Sequence, residues 1–141
     1  MFTERTPRVA AARQLTKRSG RDKAGRFLAE GAQAVREALA WGTVHGVFAT
    51  PAAAERYPDL TANASLITDR AAAGLSETVT PQGIVAICEL VDVPLSQALS
   101  GSPRLVAVLA GVSDPGNAGT VIRVADAAGA DAVILAGDTV D

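Results

Sequence analysis

The chain is 141 residues long, room for one ordinary domain or two small ones, and its 48% hydrophobic content supports a packed core and excludes a disordered tail. Its single cysteine excludes a disulfide framework or a Cys-based metal site, and no segment approaches the roughly 20 apolar residues that span a bilayer. The arginine-bearing start has no continuous apolar stretch behind it, so it does not read as a secretory signal, and we expect a soluble, cytoplasmic protein.

The net charge of −2 hides an uneven distribution. Residues 1–26 carry eight basic groups (Arg5, Arg8, Arg13, Lys17, Arg18, Arg21, Lys23 and Arg26) against Glu4 and Asp22, while the remainder is strongly acidic. Excess charge of one sign in a short segment is the footprint of a polyanion contact, with a solvated basic helix as the alternative.

In chain order, residues 8–18 read as a helix, with Val9, Ala12 and Leu15 one turn apart and Ser19-Gly20 ending it. Residues 21–26 then form a charged loop, residues 27–29 a short strand and residues 32–41 a second helix with Val35, Ala38 and Leu39 on one face. Residues 44–49 are a strand, and residues 51–56 a helix with Pro51 at its first position. Residues 65–67 are a strand, residues 69–75 a helix capped by Thr68, and residues 84–90 a buried strand holding Cys88 as a structural thiol. Such alternation predicts an α/β layer domain with a mostly parallel sheet over residues 1–93. His45 reads as structural or surface, and Pro81-Gln82-Gly83 as a turn feeding the buried strand.

Residues 94–103 have the Pro, Ser and Gly content of a linker, with one helical turn over residues 95–99. Residues 104–141 begin a new strand–helix–strand unit, with apolar runs at residues 105–109 and 132–135. Between them lies Asp114-Pro115-Gly116-Asn117-Ala118-Gly119-Thr120-Val121-Ile122-Arg123. Pro115-Gly116 suits the centre of a type II turn, and Asn117 is then placed to cap a helix running to about Ala128. Gly119 leaves room for a ligand or another backbone, and the free amides of the first helical turn would face an anion. With Val121, Val124, Ala125 and Ala128 as the apolar stripe, Arg123 either reaches back to the loop mouth or pairs with Asp126. The loop lacks a Walker A Gly-Lys-Ser/Thr and the glycine spacing of a dinucleotide fingerprint. From residues alone it is an anion- or nucleotide-approaching loop with a candidate Asn and Arg.

Residues 114–135 closely resemble the first conserved motif of the SpoU (TrmH-like) RNA ribose methyltransferases of the SPOUT superfamily. Upstream, Arg26-Phe27-Leu28-Ala29-Glu30-Gly31, Val35-Arg36-Glu37-Ala38-Leu39 and Val79-Thr80-Pro81-Gln82-Gly83-Ile84-Val85-Ala86 look like that family's amino-terminal substrate-binding domain. The implied fold is α/β: a small ribosomal-protein-like substrate-binding domain over residues 1–93, a linker, and the start of a knotted SPOUT methyltransferase domain.

The implied activity is transfer of a methyl group from S-adenosylmethionine to a ribose 2′-hydroxyl of RNA, 23S ribosomal RNA ahead of transfer RNA. By motif position Arg123 matches the family's catalytic arginine and Asn117 its motif asparagine, with Asp114, Pro115, Gly116 and Gly119 shaping the loop. Arg8, Arg13, Lys17, Arg18, Arg21, Lys23 and Arg26 are the candidate RNA contacts, and a 2′-hydroxyl target selects RNA over DNA. Homodimeric assembly is implied by the resemblance alone.

In complete members the donor-binding motifs follow this region, whereas the chain ends at Asp141. The expectation is therefore a truncated form that neither binds the donor nor turns over. Two other classes stay open: an RNA-binding module without catalysis, and a small mononucleotide-binding α/β protein.

Overall fold

The computed structural model describes residues 1–141, which divide into two compact units, Met1–Val91 and Asp92–Asp141. The first opens with α1 (Pro7–Arg13), which runs into a 3-10 turn at Gln14–Thr16. Next comes α2 (Arg18–Ala24), which replaces the single helix and charged loop read from the sequence. Gly20 does not end a helix but lies inside α2, where an added Cβ would stand 1.9 Å from the Gln14 carbonyl oxygen. The helix stops at Gly25, whose φ of 65° is the left-handed conformation that glycine adopts without steric cost.

There follow β1 (Arg26–Glu30), α3 (Ala32–Trp41), β2 (Val44–Ala49) and α4 (Pro51–Arg56). Then come α5 (Pro58–Thr61), β3 (Ser65–Leu66), α6 (Asp69–Gly74) and β4 (Ile84–Glu89). Two threonines cap as their positions dictate: Thr50 accepts from the Ala53 amide at the head of α4, and Thr68 from the Ala71 amide at the head of α6. α5 has no counterpart in the sequence reading because four residues are too few for a periodic signal.

The sheet order is β1-β4-β2-β3. β4 is antiparallel to both neighbours, and only β2 and β3 pair in parallel. The expectation of a mostly parallel sheet is thus corrected. β1, β2 and β3 do point the same way, as alternating strands and helices demand, but β4 enters the centre against them.

Its apolar run reflects burial on both faces. Ile84, Ala86 and Cys88 join Val35, Val47, Ala49, Ala53 and Leu60 in one core. Val85 joins Val9, Ala12, Phe48, Ile67, Ala71 and Leu75 in the other. Helices α3–α5 therefore cover one face of the sheet, and α1 and α6 the other.

The second unit contains α7 (Leu95–Ala98), β5 (Val106–Ala110), α8 (Pro115–Ala127) and β6 (Ala132–Ala136). β5 and β6 pair in parallel with Val106 opposite Ala132 and Ala110 opposite Ala136. α8 presses Ala118 and Ala125 inward, and Leu109 is the buried strand residue. Of the apolar stripe read from the sequence only Ala125 is buried, while Val121, Val124 and Ala128 stay exposed. Val124 sits about 110° from the buried Ala118–Ala125 line on a helix with 3.6 residues per turn. No helix is long and apolar enough to cross a membrane.

Candidate functional site

The motif loop leaves β5 through Gly111 and enters α8 with Asp114 as its cap. The Asp114 carboxylate accepts from the Gly116 amide at 2.8 Å, and its carbonyl accepts from the Ala118 amide at 3.0 Å. Pro115 is therefore the first helical residue, where its missing N–H costs nothing.

This corrects two expectations. Pro115-Gly116 is the first turn of α8 and not a type II turn, and the cap is Asp114, not Asn117. Asp immediately before Pro is a cap-then-first-residue pair, and that dipeptide was the signal for it.

Asn117, released from capping, is exposed in the first turn and its side chain makes no hydrogen bond. Arg123, also exposed, forms neither a hydrogen bond nor an ion pair, so the alternative of an Arg123–Asp126 pair is not realised. Six positions apart, Asn117 and Arg123 stand about 120° apart around the helix and about 9 Å apart along it. The structure places them on one helix but on different flanks. Arg123 shares its flank with Gly119, Ile122 and Asp126, which with residues 130–133 line an open groove of about 500 Å³. A Cβ added at Gly119 would meet nothing within 4 Å, so this glycine faces open space and not another segment of the chain.

Behind the loop sits a residue that the sequence reading missed. Thr139 is only 5% exposed. Its hydroxyl accepts from the Val112 amide at 3.1 Å and lies 2.9 Å from the Leu109 carbonyl and 2.7 Å from that of Ala136. The Val140 amide donates to the Val112 carbonyl at 2.9 Å. Residues 139–140 therefore clip the start of the motif loop to the end of β6.

Asp131 does similar work at the opposite end of the strands. Its carboxylate accepts from the Leu105 and Arg104 amides at 3.0 and 2.8 Å, and these two bonds hold its pKa below the ordinary aspartate value.

In the first unit the basic residues separate by environment. The Arg8 guanidinium lies over the rings of Phe2 and Phe48, 5.7 and 5.8 Å from their centroids, and donates to Ser65 Oγ at 3.4 Å. Arg21 Nη1 donates to the Leu15 carbonyl at 3.1 Å. The Arg13 stem passes Gly74, with its Cδ 3.5 Å from where a Cβ would be. Lys17, Arg18, Lys23 and Arg26 are exposed and without ion pairs.

Other motif residues prove to be architectural. Gln82 Oε1 accepts from the Ala32 amide at 2.9 Å and so caps α3 from across the fold. The Glu30 carboxylate binds Ser76 Oγ, Thr78 Oγ1 at 3.0 Å and the Glu77 amide at 3.3 Å. His45 sits 3.4 Å from Glu89 at the surface. Burial pushes the Cys88 thiol pKa up.

No group of three or more His, Cys, Asp or Glu side chains is placed to hold a metal ion. The groove beside Arg123 does not by itself fit a nucleoside sulfonium such as S-adenosylmethionine. An adenosyl group is normally enclosed in a walled, mostly apolar cleft, whereas this groove is open and its polar residues Arg123, Asp126 and Asp131 are exposed.

Residues 6–86 match the model of the MRM3-like substrate binding domain. The chain is 38% identical over 133 residues to the 23S rRNA (guanosine(2553)-2′-O)-methyltransferase RlmP of Bacillus subtilis, covering 92% of this chain and 51% of that protein. Among solved structures it resembles an rRNA methyltransferase from Sinorhizobium meliloti (TM-score 0.76, 30% identity, 99% of this chain and 56% of that one). It also resembles the SpoU methyltransferase AviRb from Streptomyces viridochromogenes in complex with the cofactor AdoMet (TM-score 0.75, 26% identity, 97% and 55%). The chain thus spans about half the length of the relatives it matches. It belongs to the SpoU (TrmH-like) family of RNA methyltransferases in the SPOUT superfamily, and carries an MRM3-like substrate-binding domain followed by part of the methyltransferase fold.

Proposed function

We propose that this chain supplies the RNA-binding and ribose-handling part of an S-adenosylmethionine-dependent 2′-O-methyltransferase acting on ribosomal RNA, cytoplasmic and homodimeric in its complete form. The observation that carries the reading is Arg123: an unpaired guanidinium held in the third turn of a capped helix, beside the open flank of Gly119. The relatives' names support ribosomal RNA as the substrate, and the basic amino terminus supports RNA as the partner.

The donor supplies the methyl carbon, and the residues of this chain act on the acceptor. A ribose hydroxyl has a pKa far above neutrality, so negative charge at its oxygen needs stabilisation. Arginine stays protonated and accepts no proton, so Arg123 acts as a fixed positive charge that forks onto a phosphate or onto the developing alkoxide. Asn117, nearly two turns nearer the loop and on another flank, orients the nucleotide through its amide and transfers no proton.

Arg123→Ala in the full-length protein should lower methyl incorporation into ribosomal RNA by about 100-fold or more while RNA affinity stays within about twofold. Unchanged turnover would remove Arg123 from the mechanism. Calorimetric titration of S-adenosylmethionine into the 141-residue chain should release no heat. Saturable micromolar binding would overturn the reading that the groove beside Arg123 does not by itself enclose the donor.

A further inference from the structure

Six of the eight basic side chains in the first 26 residues divide between two different jobs. We propose that Lys17, Arg18, Lys23 and Arg26 are the phosphate contacts of a rigid RNA-docking platform, and that Arg8 and Arg21 are its struts. This rests on the reading of RNA as the partner and assigns the surface that receives it.

The struts are spent on the fold. Arg8 ties α1 to Phe2, Phe48 and Ser65, and Arg21 ties α2 back to the Leu15 carbonyl. Leu15 itself is buried, at 5% exposure. α2 lies so close to the 3-10 turn that only glycine fits at position 20. The backbone bearing the four free cations is therefore fixed before any ligand arrives, so binding does not have to order it.

On α2, the exposed Arg18 and Lys23 stand about 140° apart around the helix and bound an outer arc that leaves out Gly20 and Arg21, and Lys17 and Arg26 flank its two ends. The opposing charges are Asp22, on the same outer side, and Glu89, cross-strand from Arg26. Four cations against two anions leave the platform positive.

Its chemistry fits a phosphate backbone better than a lipid surface. A membrane-binding helix presents large apolar side chains next to its basic ones. Here none of the exposed large hydrophobic residues falls between positions 2 and 38, because Val9, Ala12 and Leu15 face the core. Lysine and arginine contacts to phosphates set position and affinity without reading bases. The platform therefore binds RNA with strong salt dependence and weak sequence preference.

The test is fluorescence anisotropy of a labelled RNA hairpin with the 141-residue chain across potassium chloride concentrations, with phosphatidylserine vesicles as a second probe. The variant with Lys17, Arg18, Lys23 and Arg26 all changed to alanine should flatten the log–log salt slope by about 3 and weaken binding by about 100-fold at low salt. Its circular dichroism spectrum should match wild type. Arg8→Met should leave the slope within about half a unit while lowering the melting temperature. A fourfold variant that keeps the wild-type slope, an Arg8→Met slope change as large as that of Arg18→Ala, or vesicle binding as tight as RNA binding would each overturn the platform. A wild-type chain that fails to bind the hairpin at all would instead remove RNA as the partner.

Discussion

Thr139→Val replaces a hydroxyl by a methyl of nearly the same shape, so it isolates what the clip behind the motif loop contributes. The hydroxyl has one proton to share between the Leu109 and Ala136 carbonyls and accepts one bond, from the Val112 amide. A single neutral hydrogen bond is worth about 0.5–1.5 kcal/mol net, and a donor left unsatisfied away from water costs about 1–3 kcal/mol. Val112 is half-buried, so the two losses together should come to about 1–3 kcal/mol. The chain has two units, which makes a single global unfolding energy a poor measure, and local opening is the better one. Amide hydrogen exchange followed residue by residue should show Val112 exchanging about 5- to 150-fold faster in Thr139→Val. Thr139→Ser keeps the hydroxyl and should retain most of the protection. If Val112 exchanges no faster in Thr139→Val than in wild type, Thr139 does not hold the loop.

Three further outcomes follow from the geometry. Gln82→Ala removes the cap on α3 and should cost about 1 kcal/mol, lowering the melting midpoint of the first unit by about 4–8 °C, whereas Gln82→Glu should restore most of it. Differential scanning calorimetry decides this, and a shift within 1 °C for Gln82→Ala would deny the capping role. Gly20→Ala drives a methyl into the Gln14 carbonyl and should destabilise the first unit by about 1–3 kcal/mol, read by urea denaturation; a neutral result would mean that α2 moves freely on the 3-10 turn. Asp131 has a depressed folded pKa, so its stabilisation of the β5 start is complete above the ordinary aspartate value of about 3.9 and is lost as pH falls through the lower folded value. Arg104 and Leu105 amide protection should therefore drop in acid, and in Asp131→Asn at all pH values; protection that persists in both would discount the carboxylate.

Much of the fold was legible because its signals are local. Thr50 and Thr68 precede their helices by one residue, and Pro51 stands first in α4, so composition alone places these boundaries. The sheet's sense was not legible. Whether β4 runs with or against β1 and β2 depends on the path of residues 75–83, and their composition says only that they turn. The basic segment misled for another reason. Gly20 looks like a helix terminator, but it is there because two backbones nearly touch, and close approach leaves no trace in periodicity.

The site divides along the same line between local and distant. The motif singles out Arg123 as a candidate, and its flank follows from counting residues along α8. What fixes that helix in place was invisible, because Thr139 reaches the loop from the far side of β6 and Asp131 reaches β5 from the turn after α8. Both are short polar side chains bonded to backbone amides 26 or 27 residues earlier in the chain. Such residues carry no spacing rule. They nevertheless tie down both ends of the β5–β6 pair. The direction in which Arg123 is presented therefore depends on Thr139 and Asp131 as much as on the motif that contains it.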